Sequence, residues 1–371
     1  MRALQSSAVY ACVRLLSSAV ASVPAHVYER MDRGRQRADS HPVEWLVAQQ
    51  PNEIMSSVVA RELMQLQLCM RGNAYALIER DRAGRVLALW PLSTSQVGVE
   101  LLNGRLTYHT LIGGTSYPVP PSDMVHVRNF SYDGFHGLSP IQMARQAAGL
   151  AIAAEEYGAR FFRNGANPGG VIEYPQKLDD AGYDRLSASW RAAHEGVANA
   201  HRVAILEEGA KFNALSISNQ DSQFLETRKF QVAEIARIFG VPPHLIGDTD
   251  KSTSWGTGIE QQSIGFVQYV LMPWVRRWES ELSAKLFTGD ERGRLYIRFD
   301  LNGLMRGDVK TQSAAWAIGR QWGWYSANDV REQLEMPPVE GGDVYVSPLN
   351  MADAKTLTAL DDEETKEGDA A

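Results

Sequence analysis

The sequence contains very little cysteine and no long apolar run. Only Cys12 and Cys69 occur in 371 residues, which excludes a disulfide framework and a zinc site built on cysteine. The longest apolar runs, such as 147–154 and 269–272, are too short to cross a bilayer, and no basic segment followed by an apolar one opens the chain. These absences predict a soluble chain with no membrane partner, in a reduced, cytosolic setting.

Motifs that carry catalysis are missing as well. The eight histidines are scattered without a ligand spacing such as HExxH, and there is no GxSxG segment. Residues 247–252 superficially resemble a phosphate loop, but the second glycine before Lys251 is absent and a proline pair precedes the segment instead of a buried strand. Asp221, Asp248 and Asp250 lack the spacing of a calcium loop. We therefore expect no catalytic, cofactor-binding or metal site.

Positive charge is also scarce. The formal net charge is −7, and residues 361–371 hold six acids and one lysine, so removing the −5 of that segment leaves −2 for the rest of the chain. Proteins that bind DNA phosphates tightly are usually basic, so this balance disfavours tight duplex binding but not the passage of DNA. The remaining composition is that of a globular protein, and the length predicts two to four modules.

The best-defined feature that is present is the segment 219–246, which predicts a long helix that ends at Gly240. Asp221 or Ser222 can cap its first turn by accepting hydrogen bonds from free backbone N–H groups. One face is apolar at steps of three and four residues and the other is charged. Gly240 ends the helix, since glycine takes the left-handed conformation at little cost, and a proline pair follows. The apolar face consists of Phe224, Leu225, Val232, Ile235, Ala236 and Phe239.

A second long helix is predicted over residues 139–165. Ser139 to Gln142 reads as a capping box with proline at the first helical position. The helix has unusually small side chains, which let another helix approach closely. The candidates for that partner are the helix at 219–246 and a copy of the chain in another subunit, and an ordinary buried helix is the alternative.

The other segments predict smaller elements. Helical periodicity at 4–21 and 56–70 is followed by short alternating segments, which predict a mostly antiparallel sheet with a hairpin at Asn103-Gly104. Pro273 lies inside a helical pattern, so we expect a kink near 269–272. Near the end of the chain, Ser326 and Asp329 form a capping pair.

Five segments, taken in their order along the chain, carry a resemblance to a known family. They are AVYACVRLLSSAVASVPAHVYER, GNAYALIERDRAGRV, HGLSPIQMARQAAGLAIAAEEYGARFFRNGANPGGVI, QDSQFLETRKFQVAEIARIFGVPPHLIG and SANDVREQLEMPPVEGGDVYVSPLNM. With them the chain resembles phage portal proteins of the HK97 type over residues 3–353. Members of that family often carry more residues before the first helix, in an arm that lies against a neighbouring subunit.

The resemblance implies the portal-protein fold, an α+β fold with a wing, two long stem helices, a small α/β clip insert and a helical crown. Carried over by segment, it places the wing at 1–138, the first stem helix at 139–165, the clip at 166–218, the second stem helix at 219–246, the channel (tunnel) loop at 247–258, a kinked helix returning to the wing at 259–309, the crown at 310–360 and a disordered acidic tail at 361–371.

The function implied by the resemblance is structural and not enzymatic. Portal proteins form a ring of identical subunits, typically dodecameric, at one capsid vertex of the virion, after assembly in the host cytoplasm. Double-stranded DNA passes through the ring, whatever its sequence, and the implied partners are the terminase large subunit, head–tail connector proteins and the capsid protein. The alternative is a phage head adaptor or scaffold without a channel. A nuclease or maturation protease would need paired carboxylates or an activated nucleophile, which the sequence does not supply.

Two sets of residues are expected to perform this function. The first set lines the narrowest point of the channel and contacts DNA transiently: Lys251, Ser252, Thr253, Ser254 and Trp255. The second set forms the stem interface: Ala147, Ala151, Ala154, Gly158, Phe224, Val232, Ile235 and Phe239.

Overall fold

The computed structural model describes residues 2–102, 104–163, 171–173, 175, 179–194, 211–213, 218–248, 257–305, 309–334 and 336–346. The chain divides into two compact units, Met1–Leu301 and Asn302–Ala371.

Helices account for most of the described residues. The α-helices are α1 (Ser7–Ser22), α2 (Pro42–Ala48), α3 (Ser57–Arg71), α4 (Pro140–Met143), α5 (Arg145–Arg163), α6 (Asp180–His194), α7 (Ser218–Phe239), α8 (Thr257–Phe266), α9 (Met272–Leu286), α10 (Asn302–Met305), α11 (Val309–Gln321) and α12 (Ala327–Gln333). Short 3₁₀ helices cover Arg2–Gln5, Pro121–Asp123, Pro243–Ile246 and Gly289–Glu291.

The strands form small antiparallel sheets, as predicted. They are β1 (Ala25–Arg30), β2 (Arg35–Arg37), β3 (Asn73–Arg80), β4 (Val86–Leu92), β5 (Val97–Leu102), β6 (Arg105–Ile112), β7 (Thr115–Val119), β8 (Met124–Arg128), β9 (Val171–Glu173), β10 (Lys211–Asn213) and β11 (Leu295–Phe299). Three sheets have the orders β11-β1-β2, β4-β3-β8 and β5-β6-β7, and β9 pairs with β10. Ala25 lies opposite Phe299, so the chain returns after α9 to pair with β1.

The core of the first unit lies where α1 packs on α3 and where α9 packs on β8 and β11. The predicted apolar stripe of α1 is buried, with Cys12 and Leu16 fully enclosed. From α9, the buried Trp278 donates a hydrogen bond from its indole Nε1 to Gln65 Oε1 over 2.8 Å. Because both side chains are buried, this bond removes the cost of enclosing an unpaired polar group.

α2 and β7 are among the elements that were not predicted. α2 begins with Pro42, and the Nδ1 atom of His41 accepts a hydrogen bond from the backbone N–H of Val43. Histidine is not a usual N-cap residue and seven residues are too few for a clear helical period, which hides the signal. β7 contains Pro118, which normally argues against a strand, but β7 pairs only with β6 and therefore tolerates proline.

The predicted kink before Pro273 takes the form of a π-helical turn. This turn covers Val267–Leu271, and the N–H of Met272 donates to the carbonyl of Val267. Proline supplies no N–H and its ring crowds the carbonyl four residues earlier, here that of Tyr269. The wider π turn lets the helix continue into α9 instead of ending.

A tight backbone crossing lies between the sheet β4-β3-β8 and the start of α4. Gly72 ends α3 with a φ of 80° and accepts a hydrogen bond from the N–H of Asn129 at its carbonyl. A methyl group on Gly137 would collide with the carbonyl oxygen of Gly72 and approach the Asn129 nitrogen to 2.7 Å. Only glycine at position 137 permits this crossing, which fixes where the chain enters α4.

In the second unit, hydrogen bonds from polar groups define the local structure. Ser326 and Asp329 form the predicted capping box, with both reciprocal bonds present. Asn328 bonds to the carbonyl of Val339 and to the Asp343 side chain through its amide nitrogen, and accepts from the Val339 N–H. Among the described residues of this unit, the buried side chains are small or polar and the large apolar ones are partly or fully exposed.

We expect Gly137→Ala to lower the free energy of unfolding by about 3 kcal/mol, since the added methyl group meets backbone atoms that cannot turn aside. Gly98→Ala is the matched control, because its nearest atoms would lie 3.9 Å away. Urea unfolding followed by tryptophan fluorescence measures both variants. Equal stability of the two variants would contradict the tight crossing.

Candidate functional site

The candidate site consists of α5 and α7 with the segments that enter and leave them. Within one chain α5 packs against α7, and α7 also packs against α1. Of the two partners considered for the small-sided helix, the structure places α7 beside it. The close approach therefore occurs inside a single subunit.

The small side chains of α5 divide into an inner face and its edges. Ala148 and Ala151 are buried, as is Ala144 just before the helix. Ala147 and Ala154 are half-buried. Gly158 lies in the helix, but its surroundings fall outside the described residues. Of the residues predicted for a stem interface, Ala151 therefore helps to pack the helix pair itself.

The apolar face of α7 is likewise turned inward. Ile235, Ala236 and Phe239 are buried, and Val232 is half-buried. The side chain of Phe224 lies outside the described residues. Ile235 and Phe239 therefore stabilise the position of α7 within the chain, and a role for them between subunits stays a prediction.

Three large apolar side chains on these two helices are uncovered, among charged and polar neighbours. Leu150 of α5 is 55% exposed, and Phe230 and Ile238 of α7 are 60% and 38% exposed. Large apolar side chains that stay exposed on a helix pair are candidates for contact with another molecule. The helix pair is thus packed within the chain on one side and exposed on the other.

A carboxylate attaches α5 to the start of α1. Glu155 Oε1 accepts hydrogen bonds from the backbone N–H of Ser7 at 3.3 Å and from its hydroxyl at 3.1 Å. The first N–H groups of a helix lack partners within the helix, and a negative charge there interacts favourably with the helix dipole. Glu155 therefore caps α1 from a distance of 148 residues along the chain.

Side-chain hydrogen bonds also fix the segment that enters α4. Ser139 Oγ donates to the carbonyl of Met70 at 2.7 Å and accepts from the Gln142 N–H at 3.1 Å. The Asn73 amide bonds to both the N–H and the carbonyl of Gly137. These contacts connect the start of α4 to the end of α3.

The single helix predicted from residue 139 is wrong in one respect, because two helices occupy this region. α4 ends at Met143, Ala144 has a ψ of 13°, and α5 starts at Arg145. Residues 139–145 contain neither glycine nor an internal proline that would signal a break. The two helices are attached to different elements, α4 to the end of α3 and α5 to α1, and this tertiary constraint accounts for the change of direction.

The turn before α4 is organised by Asp133. Its Oδ1 accepts from the backbone N–H groups of Phe135 and His136 and from the Ser131 hydroxyl. Hydrogen bonds from the backbone and then the side chain of His136 hold the pKa of the Asp133 carboxyl well below its usual range. The carboxylate stays ionised and keeps the turn closed.

The end of α7 agrees with the prediction. Gly240 has a φ of 68°, and the N–H of Val241 donates to the carbonyl of Ala236 at 2.8 Å, which is the bond of a Schellman motif. A 3₁₀ helix then leads to Gly247, which has a φ of 87°. The predicted DNA-facing residues Lys251, Ser252, Thr253, Ser254 and Trp255 lie outside the described residues.

A buried histidine network supports the segment that enters α4, and the sequence pattern gave no sign of this network. His126 Nδ1 lies 3.1 Å from Arg128 Nε and 3.0 Å from the Tyr108 hydroxyl, and its Nε2 lies 2.9 Å from Asn73 Oδ1. Arginine can only donate, so Nδ1 accepts and the proton sits on Nε2. Burial, followed by the charge of Arg128, lowers the pKa of His126 to about 2. The imidazole is therefore neutral and connects Asn73, at the crossing, to the sheet.

The described residues contain no cluster of three or more His, Cys, Asp or Glu side chains arranged to hold a metal ion. Burial raises the pKa of the Cys12 and Cys69 thiols to about 12, which keeps both protonated. No helix in the part of the chain that the structure describes has the length and apolarity needed to cross a bilayer. The absence of a catalytic or metal site stays a prediction.

Comparison with known proteins points to one family. A family model described as phage portal protein matches residues 7–335. The portal protein of Enterobacteria phage HK97 is 38% identical over 346 residues, covering 92% of this chain and 81% of that protein. The probable portal protein of Streptomyces phage phiC31 is 39% identical over 367 residues, covering 95% and 79%. A chain from the neck of an empty gene transfer agent particle, computed with C6 symmetry, is 26% identical with a TM-score of 0.65, covering 89% and 90%.

We expect stability to fall as the pH drops below about 6.5, because the unfolded chain protonates His126 and the folded chain does not. The stabilising contribution of the neutral His126 is complete above the unfolded pKa. About 2 kcal/mol of it is lost at pH 5. His126→Gln should flatten this dependence between pH 7.5 and 5, measured by urea unfolding. A variant at position 126 with an unchanged slope would refute the neutral buried imidazole.

Proposed function

This chain belongs to the phage portal protein family, and on that premise we propose that it forms the ring at one capsid vertex through which double-stranded DNA is packaged and ejected. The observation that carries the proposal is the identity of 38% to the HK97 portal protein over 92% of the chain. Structural conduits of this kind need a repeated subunit and a channel, and no reaction centre. The protein acts in the virion as a structural component.

The segments then take the following roles in the ring. Residues 1–138 form the wing, 139–165 and 219–246 the stem, 166–218 the clip, 247–258 the channel loop and 310–360 the crown, with 259–309 returning to the wing. Two features support this division. β11 pairs with β1 after the kinked helix, and α5 and α7 lie side by side as two long helices.

Contacts between subunits involve the uncovered side of the helix pair. A ring of identical subunits uses a heterologous contact, in which one surface meets a different surface of the next copy. Phe230, Leu150 and Ile238 present large apolar side chains on that side, while the small residues between α5 and α7 are already used within the chain. Removing such side chains from water favours assembly by about 25 cal/mol per Å². The margins of this uncovered side are formed by the half-buried Ala147, Ala154 and Val232.

The channel is proposed to hold DNA weakly. A strongly basic wall would bind phosphates by releasing counterions and would resist movement of the duplex. The net charge of −2 for residues 1–360 supports a conduit in which DNA slides. Lys251, Ser252, Thr253, Ser254 and Trp255 supply the transient contacts, independent of DNA sequence.

The partners follow from the position of the ring. The insert at 166–218 docks the terminase large subunit during packaging, head–tail connector proteins replace it afterwards, and the capsid protein surrounds the wing. The likeness to a chain in the neck of a gene transfer agent particle supports a place between head and tail.

A ring of twelve subunits is the expected assembly. A head adaptor without a channel is the second candidate, and native mass spectrometry distinguishes the two by subunit number.

Phe230→Ser should weaken ring formation while leaving the subunit folded, because Phe230 is 60% exposed in the single chain. Losing one buried phenyl contact costs about 2 kcal/mol, or about thirtyfold in association. Native mass spectrometry should show fewer twelve-membered rings and more monomers. Leu87→Ser removes an apolar side chain that is 53% exposed on β4 and should leave rings intact. Identical assembly of both variants would exclude this face of α7 from the ring contact.

Deleting residues 250–255 should leave rings intact and impair genome packaging or retention, since the proposed loop contacts only DNA. DNA protected from nuclease inside assembled particles measures the effect. A Gly-Ser segment of equal length is the control for chain connectivity, and it should also form rings while lacking the side-chain contacts to DNA. Full packaging and retention in the deletion variant would show that this loop has no role.

A further inference from the structure

A basic pocket lies on the first unit, between the β1–β11 pair, the end of α9 and the 3₁₀ helix Pro121–Asp123. Its volume is about 650 Å³, and its lining includes the cations Arg30, Arg80, Lys285 and Arg292 but no acidic residue. In a chain with a net charge of −7, four cations around one concave surface are a marked local concentration. Such a surface attracts a negatively charged ligand.

Two of these cations form a fixed inner wall. Arg80 Nε pairs with Asp123 at 3.0 Å, and its other nitrogens donate to the carbonyls of Gly84 and Lys285. The ammonium of Lys285 donates to the carbonyl of Pro121. Burial lowers the pKa of Lys285. Asp123 and Glu281 are the acids that interact with Lys285. Asp123 is already paired with Arg80.

The other two cations are available to a ligand. Arg30 and Arg292 are exposed, and within the described residues neither has a carboxylate within the 4 Å of an ion pair. Arg30 stacks over the ring of Tyr296, 5.4 Å from its centroid, which orients the guanidinium at the pocket rim. Arginines held in this way are suited to bidentate recognition of carboxylates.

An apolar groove continues from the pocket. Pro121 lines both the pocket and a second depression of about 600 Å³. Leu106 of β6 and Pro118 and Val119 of β7 line that depression together with Pro120. The combined surface therefore offers two free positive charges at one end and apolar contacts at the other. We call it the Arg30–Pro121 surface.

We infer that the Arg30–Pro121 surface binds a short extended segment of a partner protein, with acidic residues in the pocket and apolar residues along the groove. Carboxylate side chains can enter the concave pocket, and an extended segment lets its neighbouring residues reach the apolar groove. Duplex DNA fits less well, because its phosphates need a row of free cations on an open surface and only two are available here.

Selection of random displayed peptides on the intact protein tests this inference, followed by fluorescence anisotropy with the selected peptide. We expect enrichment of peptides that place Asp or Glu next to Leu, Val or Pro. The double variant Arg30→Glu/Arg292→Glu should weaken binding by at least about tenfold, since reversal puts like charges together. Arg185→Glu, at an exposed arginine of α6, is the matched control and should bind as the wild type does.

Pro118→Ala/Pro120→Ala provides a second variant that leaves all charges in place. It should weaken the selected peptide and leave its salt dependence unchanged. The inference is overturned if selected peptides carry no acidic residues, if the double charge reversal binds as tightly as the control, or if a short DNA duplex competes with the peptide at equal concentration. Unchanged melting temperatures of the variants exclude loss of fold as the cause of weaker binding.

Discussion

The crossing of Gly137 over Gly72 determines how the rest of the first unit is arranged. Because a side chain at position 137 would meet the backbone of Gly72, only glycine lets the two segments pass this close to each other. Asn73 binds both polar groups of Gly137, and the neutral His126 holds Asn73 in turn. The sheet and the helix pair are thus joined through hydrogen bonds that leave little freedom of orientation. A ring of copies requires subunits with this constancy of shape.

The two faces of the helix pair differ in burial. Small residues of α5 and the apolar stripe of α7 pack within the chain, and Glu155 attaches the pair to α1. The large side chains on the other face stay exposed in one subunit. In the proposed ring, the contacts needed for folding and those left for neighbouring subunits are therefore distinct. This difference in burial also assigns the alanines a role in folding that the resemblance alone did not imply.

Local signals in the sequence were sufficient for several elements. Gly240 and the following proline pair specified the end of α7, the Ser326 and Asp329 spacing specified a capping box, and the alternating segments after Asn73 specified antiparallel strands. Features that depend on distant contacts were not predictable. The break at Ala144, the Gly137 crossing and the His126 network each depend on at least one contact between residues more than fifty positions apart, which no local period records. The candidate site was found only as a pair of helices, and the division of its residues into inner and outer faces required the structure.

The account stands on one geometric claim, that copies of the α5–α7 pair surround an open axis. Electron cryo-microscopy of the purified assembly, viewed along its symmetry axis, tests this most directly. The account predicts a closed ring of twelve subunits, with helices from each copy lining an opening wide enough for a DNA duplex. Particles without an axial opening, or rings in which the exposed face of α7 points away from every neighbour and from the axis, would contradict it.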